Sequence, residues 1–330
     1  YVHQEHPLGT AHALTQARDE VGSGDAFLCL PGDNVVESDA LAALLDRIGE
    51  RRPLALVTES EDPSKYGVLY LRGDSVVKVI EKPPDSMKRE YLSDTIATGI
   101  YLFPVDVMET AVELVARGES KLSDLLTALL KESRGVGWVK TGLWADAVYP
   151  WDLLRMNALT LPSEGTLLDG RVEGGVVVRG PVRVGVGTVL RAGSYLQGPI
   201  SVGAGCEIGP NAVIQPCTAI GDNVHVGACT VLSNSIVMSD SRIGAGSVIE
   251  NSILGPGCTV GPGVMAYRGE ALIRAGDEHH LVDDVGAMVA DDTSVCAGAV
   301  LEPGTVIGPG SYIGAGRRIN GQLPAGSRAL

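Results

Sequence analysis

Aliphatic residues recur every six positions through the second half of the chain. Val202, Ile208, Ile214, Ile220, Val226 and Leu232 open the series, Ile243 and Ile249 resume it after a slip, and Val289, Val295, Leu301, Ile307, Ile313 and Ile319 complete it. Small or turn-forming residues usually follow, as in Ile208-Gly209-Pro210-Asn211 and Ile220-Gly221-Asp222-Asn223. Neither the 3.6-residue period of a helix nor the two-residue period of a strand gives this spacing. A hexad period predicts a parallel β-helix: short flat strands meet at tight turns, and each inward side chain stacks on its counterpart one coil away. The rhythm fails between Val264 and Val285, so residues 265–284 read as an insertion projecting from one coil.

The first half is punctuated differently. Tyr1 to Gln4 reads as a strand, and Thr10 as the cap of a helix whose apolar face is Ala11, Leu14, Ala17 and Val21. Ala26 to Leu30 is a short apolar run closed by Pro31-Gly32-Asp33, the pattern of a buried parallel strand. Ser38 is expected to cap a second helix carrying Leu41, Leu44, Leu45 and Ile48. A strand over 54–57 follows, then an antiparallel pair over 67–71 and 76–80 joined by Arg72-Gly73-Asp74. A strand over 97–103, a helix opening at Pro104 and a last helix over 122–130 complete the pattern. The alternation of strands and helices predicts an α/β sheet. Leu161-Pro162-Ser163-Glu164-Gly165 marks the boundary, giving an α/β domain over 1–162 and the coils over 166–330.

Charge and cysteine content narrow the function. A formal charge of −14, with no lysine after Lys140, is the wrong sign for a nucleic-acid partner. Of the six cysteines, all but Cys29 lie in the hexad region without CxxC spacing. They read as free thiols packed inside coils, which fits a reducing, cytoplasmic setting. No apolar run approaches the ~20 residues needed to cross a bilayer, so no membrane partner is expected.

Gln4-Glu5-His6-Pro7-Leu8-Gly9-Thr10-Ala11-His12-Ala13 resembles the base-reading loop of the sugar-1-phosphate nucleotidylyltransferases. Leu30-Pro31-Gly32-Asp33-Asn34, Lys65-Tyr66-Gly67-Val68, Glu81-Lys82-Pro83 and Ala97-Thr98-Gly99-Ile100-Tyr101 match the same family in order. Trp144-Ala145-Asp146, followed by Tyr149-Pro150-Trp151-Asp152-Leu153-Leu154, resembles its second metal carboxylate and the helix after it. With the hexads that follow, the chain is similar to archaeal-type proteins that fuse this transferase to an acetyltransferase-like left-handed β-helix. The resemblance implies a Rossmann-like α/β fold and transfer of a nucleotidyl group from an NTP to a sugar 1-phosphate, with Mg²⁺ and release of pyrophosphate. It implies Asp33 and Asp146 as metal ligands and Gln4 on the base edge, with Pro7, Leu8, Gly9 and Thr10 as its wall. Gly67 would offer backbone contacts to the sugar, Glu81 would accept from its hydroxyls, Lys82 would meet the phosphate, and Thr98 with Gly99 would border the sugar. A pyrimidine, UTP or dTTP, is expected, with GDP-mannose synthesis left open. His3, His6, His12 and His225 read as surface or packing residues.

One part of the family pattern has no counterpart here: the glycine-rich loop, with its arginine and Pro-Lys-Pro, that cradles the triphosphate. The expectation is therefore an N-terminally truncated α/β domain, inactive as a fragment and active at full length. A non-catalytic regulatory or scaffold subunit is the alternative. For the coils the resemblance implies a homotrimer or higher homo-oligomer. It also implies a second activity, acetyl-CoA-dependent hexosamine-1-phosphate N-acetylation using His279 or His280; an acetyltransferase with a vestigial first domain is a further alternative. The acidic Asp283-Asp284 pair and the missing lysines argue against acetyl transfer and for a scaffold.

Overall fold

The structure is a computed structural model that describes residues 1–22, 24–84, 87 and 92–330. The chain divides into two compact units, Tyr1–Asp146 and Ala147–Leu330. The expected boundary near 162–166 marks where the coils begin, but the helix before it groups with the coils.

In the first unit the strands are β1 (Ala26–Cys29), β2 (Asn34–Val36), β3 (Leu54–Glu59), β4 (Gly67–Arg72), β5 (Ser75–Glu81), β6 (Thr95–Pro104), β7 (Gly137–Lys140) and β8 (Trp144–Asp146). The helices are α1 (Thr10–Gln16), α2 (Arg18–Val21), α3 (Ser38–Leu45), α4 (Val107–Ala116) and α5 (Leu122–Lys131). The main sheet runs β5-β4-β6-β3-β7, with β1 on β6. Both faces are covered, because successive β3 residues point oppositely. Ala55 and Val57 pack with Phe103, Leu125 and Leu129 on the α4/α5 side; Leu54 and Leu56 pack with Leu44 and Ile100 on the α3 side.

Several local expectations give way. Tyr1–Gln4 forms no strand, since no neighbour offers it a ladder among the described residues. Strand β1 runs antiparallel to β6, from Ala26↔Pro104 to Cys29↔Tyr101, and Leu28 is exposed. An apolar run carries no sign of its partner's direction. Helix α1 begins at Thr10, with Gly9 as its cap, and breaks at Ala17. Likewise α3 is capped by Glu37 rather than Ser38. Pro104 ends β6 instead of opening α4.

The second unit opens with α6 (Asp152–Thr160) and continues as a parallel β-helix of three sheets with nine, eight and nine strands. Leu190↔Ile208↔Val226 and Leu196↔Ile214↔Leu232 are stacked pairs, and every aliphatic of the hexad series is buried. The slip in the series has a local cause. From Leu232 to Val237, and again from Ile249 to Leu254, the corner is one residue short and turns on Asn234 or Asn251 in a left-handed conformation. Asparagine tolerates that region better than other residues with a Cβ.

The insertion is a β-hairpin, Gly269–Ala275 against Glu278–Val285. One sheet presents Ile236, Ile253, Met288 and Val306 outward, where solvent-facing side chains would be expected. Ile273 and Val285 of the hairpin cover that stripe together with Trp151, Leu153 and Leu154 of the α6 segment.

Candidate active site

The segment Leu8–Ala11 is stitched to the entry of α5. The Ser120 hydroxyl donates to the Leu8 carbonyl at 2.6 Å, the Ala11 N–H donates to the Ser120 carbonyl at 2.7 Å, and the Leu122 N–H donates to Thr10 Oγ1 at 3.0 Å. Thr10 thus caps α5, not its own helix. Gly9 has φ +145, and a Cβ there would fall 2.5 Å from the Ser120 carbonyl oxygen, so only glycine fits. The Gln4 amide lies 2.7 Å from His12 Nδ1 and donates to the Gly9 carbonyl at 3.4 Å. His12, which sequence reading set aside as packing, therefore holds the residue expected to read the base. An i,i+8 pairing across a loop leaves no periodic signal.

Gly9, Thr10, Pro31, Gly67, Glu81 and Gly99 line one cleft of about 300 Å³, with Lys121 and Ser123 at the start of α5. Gly67 lies opposite Glu81 in the β4–β5 ladder, and a Gly67 Cβ would approach Glu81 Oε2 to 3.2 Å. Gly99, at φ +83, packs against Pro31, where a Cβ would fall 2.9 Å from Cγ. Lys82 is exposed, with φ 41, and its N–H donates to the Tyr66 carbonyl. Pro7 and Leu8 are exposed and, like Gln4 and Lys82, are not part of the cleft wall.

Thr98 is a correction. It is 3 % exposed, donates its hydroxyl to the Leu56 carbonyl at 2.8 Å and accepts the Ile100 N–H, so it braces the sheet and does not border the cleft. Its neighbour faces the other way because strand side chains alternate. A larger cavity of about 1070 Å³ lies at the opposite end of β1, between Arg18, Arg51 and Glu109, and contains none of the expected site residues.

The two expected metal carboxylates are related through the register of the β2–β8 ribbon. Asn34 is the register partner of Asp146, and Asp33 directly precedes Asn34. Asn34 Nδ2 donates to Asp33 Oδ1 at 2.8 Å, and the Tyr66 hydroxyl donates to Asp146 Oδ1 at 3.3 Å. Glu37, at the far end of β2, accepts on one oxygen from Gly142 N–H at 2.7 Å, Thr141 Oγ1 at 2.9 Å and Leu143 N–H at 3.4 Å. These donors, Gly142 foremost, hold its carboxyl below the usual range and fix the loop leading into β8. Two carboxylates are a hard oxygen donor set. No group of three or more His, Cys, Asp or Glu that could hold a metal occurs among the described residues, and a Mg²⁺ held by two carboxylates completes its shell with phosphate oxygens and water.

The two hairpin histidines part company. His280 packs against Tyr149 and Trp151, with centroids 4.3 and 6.0 Å away, and its buried Nε2 lies 3.5 Å from Glu278 Oε2 without hydrogen-bond geometry. It is a packing residue here rather than a base presented to a ligand. His279 is exposed opposite Arg274. Among the described residues, no helix is long and apolar enough to cross a membrane.

Residues 1–161 match the nucleotidyl transferase family, and residues 196–272 match the GMPPB C-terminal domain. The bifunctional protein GlmU of Methanococcus vannielii is 31 % identical over 79 % of this chain and 62 % of its own length. That of Methanocaldococcus jannaschii is 30 % identical over 77 % and 60 %. A glucose-1-phosphate thymidylyltransferase of Streptomyces antibioticus is 32 % identical over 79 % and 62 %. The chain thus spans about three fifths of the length of the curated relatives it matches. On these grounds residues 1–161 are a domain of the nucleotidyl transferase family, and it is joined to a parallel β-helix.

Proposed function

We propose that the protein transfers a nucleotidyl group from UTP or dTTP to a sugar 1-phosphate, releasing pyrophosphate and forming an NDP-sugar. The observation that carries this reading is the gathering of Gly9, Thr10, Pro31, Gly67, Glu81 and Gly99 around one cleft, with Asp33 two residues beyond Pro31 and next to Asn34, the register partner of Asp146. In the reaction, a phosphate oxygen of the sugar 1-phosphate attacks the α-phosphorus, and the bond to the β-phosphate bridge breaks. The attacking group is already an anion, so alignment and charge neutralisation dominate over base catalysis. Bound at Asp33 and Asp146, Mg²⁺ would supply that neutralisation. Glu81 accepts from sugar hydroxyls, Gly67 and Gly99 let the backbone approach the ring, and Lys82 meets phosphate. Gln4, oriented by His12, presents an amide that pairs with the donor and acceptor of a pyrimidine together.

The coils serve as a scaffold for self-association as a homotrimer. In support, one sheet presents Tyr195, Val213, Val231, Val248, Met265 and Val300 outward on successive coils, ahead of Arg318 on the next. Acetyl transfer from acetyl-CoA is the weaker reading, since the His280 ring is packed between aromatic residues.

The test is pyrophosphate release from the full-length protein, with any sequence upstream of Tyr1 included, using glucose-1-phosphate or N-acetylglucosamine-1-phosphate against UTP, dTTP and GTP. Release with one pair, abolished by Asp33→Asn, is the expected result. Silence with every pair in a folded oligomer would favour the regulatory or scaffold subunit.

A further inference from the structure

We infer that Trp144 is a positioning residue that orients both metal carboxylates at once, through Asn34 to Asp33 and through Tyr66 to Asp146. The inference rests on the metal reading of Asp33 and Asp146 proposed above, and extends it to three residues that touch neither substrate nor cation.

The geometry begins with strand register. In the β2–β8 ribbon Val36 faces Trp144 and Asn34 faces Asp146, so Trp144 and Asn34 are diagonal neighbours on one face, within reach of a long side chain. The indole Nε1 donates to Asn34 Oδ1 at 2.6 Å. An indole N–H can only donate, so the asparagine atom facing it must be the carbonyl oxygen. That settles which way the amide points and leaves Nδ2 to donate to Asp33 Oδ1 at 2.8 Å. An ionised carboxylate can only accept, so each link in this relay has one allowed sense. One Asp33 oxygen is therefore held by an amide that is itself held.

The same indole meets the Tyr66 ring edge-on, with centroids 5.3 Å apart and planes at 78°. This contact places the phenol so that its hydroxyl donates to Asp146 Oδ1 at 3.3 Å. Tyr66 arrives from the turn before β4, and its own carbonyl accepts the Lys82 N–H. One side chain thus joins the two carboxylate-bearing strands and the turn leading to Gly67. A rigid indole with two arms suits a shared cation, since both ligands must keep fixed orientations before it arrives.

The test uses Mn²⁺ as the probe and follows its binding to the 330-residue chain by water-proton relaxation, so no turnover is needed. Asp33→Ala comes first: if it binds Mn²⁺ as tightly as the parent, the metal reading itself fails. Given that loss, Asn34→Ala should weaken Mn²⁺ binding by about tenfold, within the range for residues that orient ligands. Trp144→Phe should weaken it comparably, and should add less than about twofold in an Asn34→Ala background, because phenylalanine keeps a ring against Tyr66 and the lost N–H acts on Asp33 only through that amide. Tyr66→Phe, which removes one hydroxyl and keeps the ring, should weaken binding severalfold and combine multiplicatively with Asn34→Ala. A merely packing role for Trp144 would lower thermal stability and leave Mn²⁺ affinity unchanged. Unchanged affinity in Asn34→Ala, or Trp144→Phe and Asn34→Ala losses that multiply in full, overturns the relay. If either ribbon variant fails to fold, unchanged affinity in Tyr66→Phe overturns the second arm by itself.

Discussion

Gly99→Ala should damage the cleft more than its size suggests, and a matched glycine shows why. Gly99 sits at φ +83, where a residue with a Cβ costs about 1–2 kcal/mol. The added Cβ would also lie 2.9 Å from Pro31 Cγ, well inside the about 3.5–4.0 Å at which two carbons rest. Pro31 is ring-constrained and cannot rotate a side chain away. Relief must come from the loop Leu30–Asp33, which carries the proposed metal ligand Asp33. Overpacking of this kind costs a further 1–3 kcal/mol or so. Gly73, in the β4–β5 turn, has a comparable left-handed φ of +58, but a Cβ there meets nothing within 4 Å. Gly73→Ala therefore bears the conformational cost alone, about 1–2 kcal/mol. The assay is thermal melting of both variants, with Mn²⁺ binding measured alongside. Gly99→Ala should melt several degrees below Gly73→Ala, at about 2–4 °C per kcal/mol for a domain near this size. It alone should lose Mn²⁺ affinity. Equal melting losses with unaltered Mn²⁺ binding would refute the steric argument.

Other outcomes follow from the same contacts. Glu37 has a lowered pKa, from the Gly142 N–H first and then Thr141, so its contribution is present above the usual glutamate pKa of 4.5 and fades as pH falls through its folded value. The melting deficit of Glu37→Gln should accordingly be largest at neutral pH and shrink below about pH 4.5; a deficit that grows in acid would refute it. Trp151→Ala should free the hairpin from the α6 segment and raise proteolytic cutting within residues 269–285, while the coils stay intact by circular dichroism. Burial pushes the Cys29 thiol up to about 11 and raises Cys206 and Cys258 as well, whereas Cys229 is exposed. A thiol reagent at pH 8 should label Cys229 in the native protein and reach the other three only after denaturation.

The solenoid was legible because its rule is one-dimensional: a side chain at one hexad position predicts the environment of the next. The six-residue step shortens at Asn234 and Asn251, where the corner drops a residue and the aliphatic partner moves to Val237 or Leu254, and again between Ile319 and Leu323, and the hairpin interrupts it once. In the first unit, motif order was more legible than geometry. Glu81, Gly67 and Asp33 could be singled out because they stand in motifs that resemble the family's, in its order. Thr98 came with the same motifs and misled, since a hydroxyl beside a glycine looks the same whether it faces a cleft or a neighbouring strand. The direction of β1, the hold of His12 on Gln4 and the diagonal from Trp144 to Asn34 depend on long-range register. No local window of sequence contains that information.

The hairpin leaves the coils after Ala266 and the ladder resumes at Met288, yet Ile253 still pairs with Met288 and Ala266 with Leu301. The helix treats the whole excursion as one corner. Such a corner works as a socket: whatever is plugged in need only begin and end at the same two points and bring an apolar underside for Ile236, Ile253, Met288 and Val306. Exchanging the plug would give the same scaffold a different attachment without re-solving its fold.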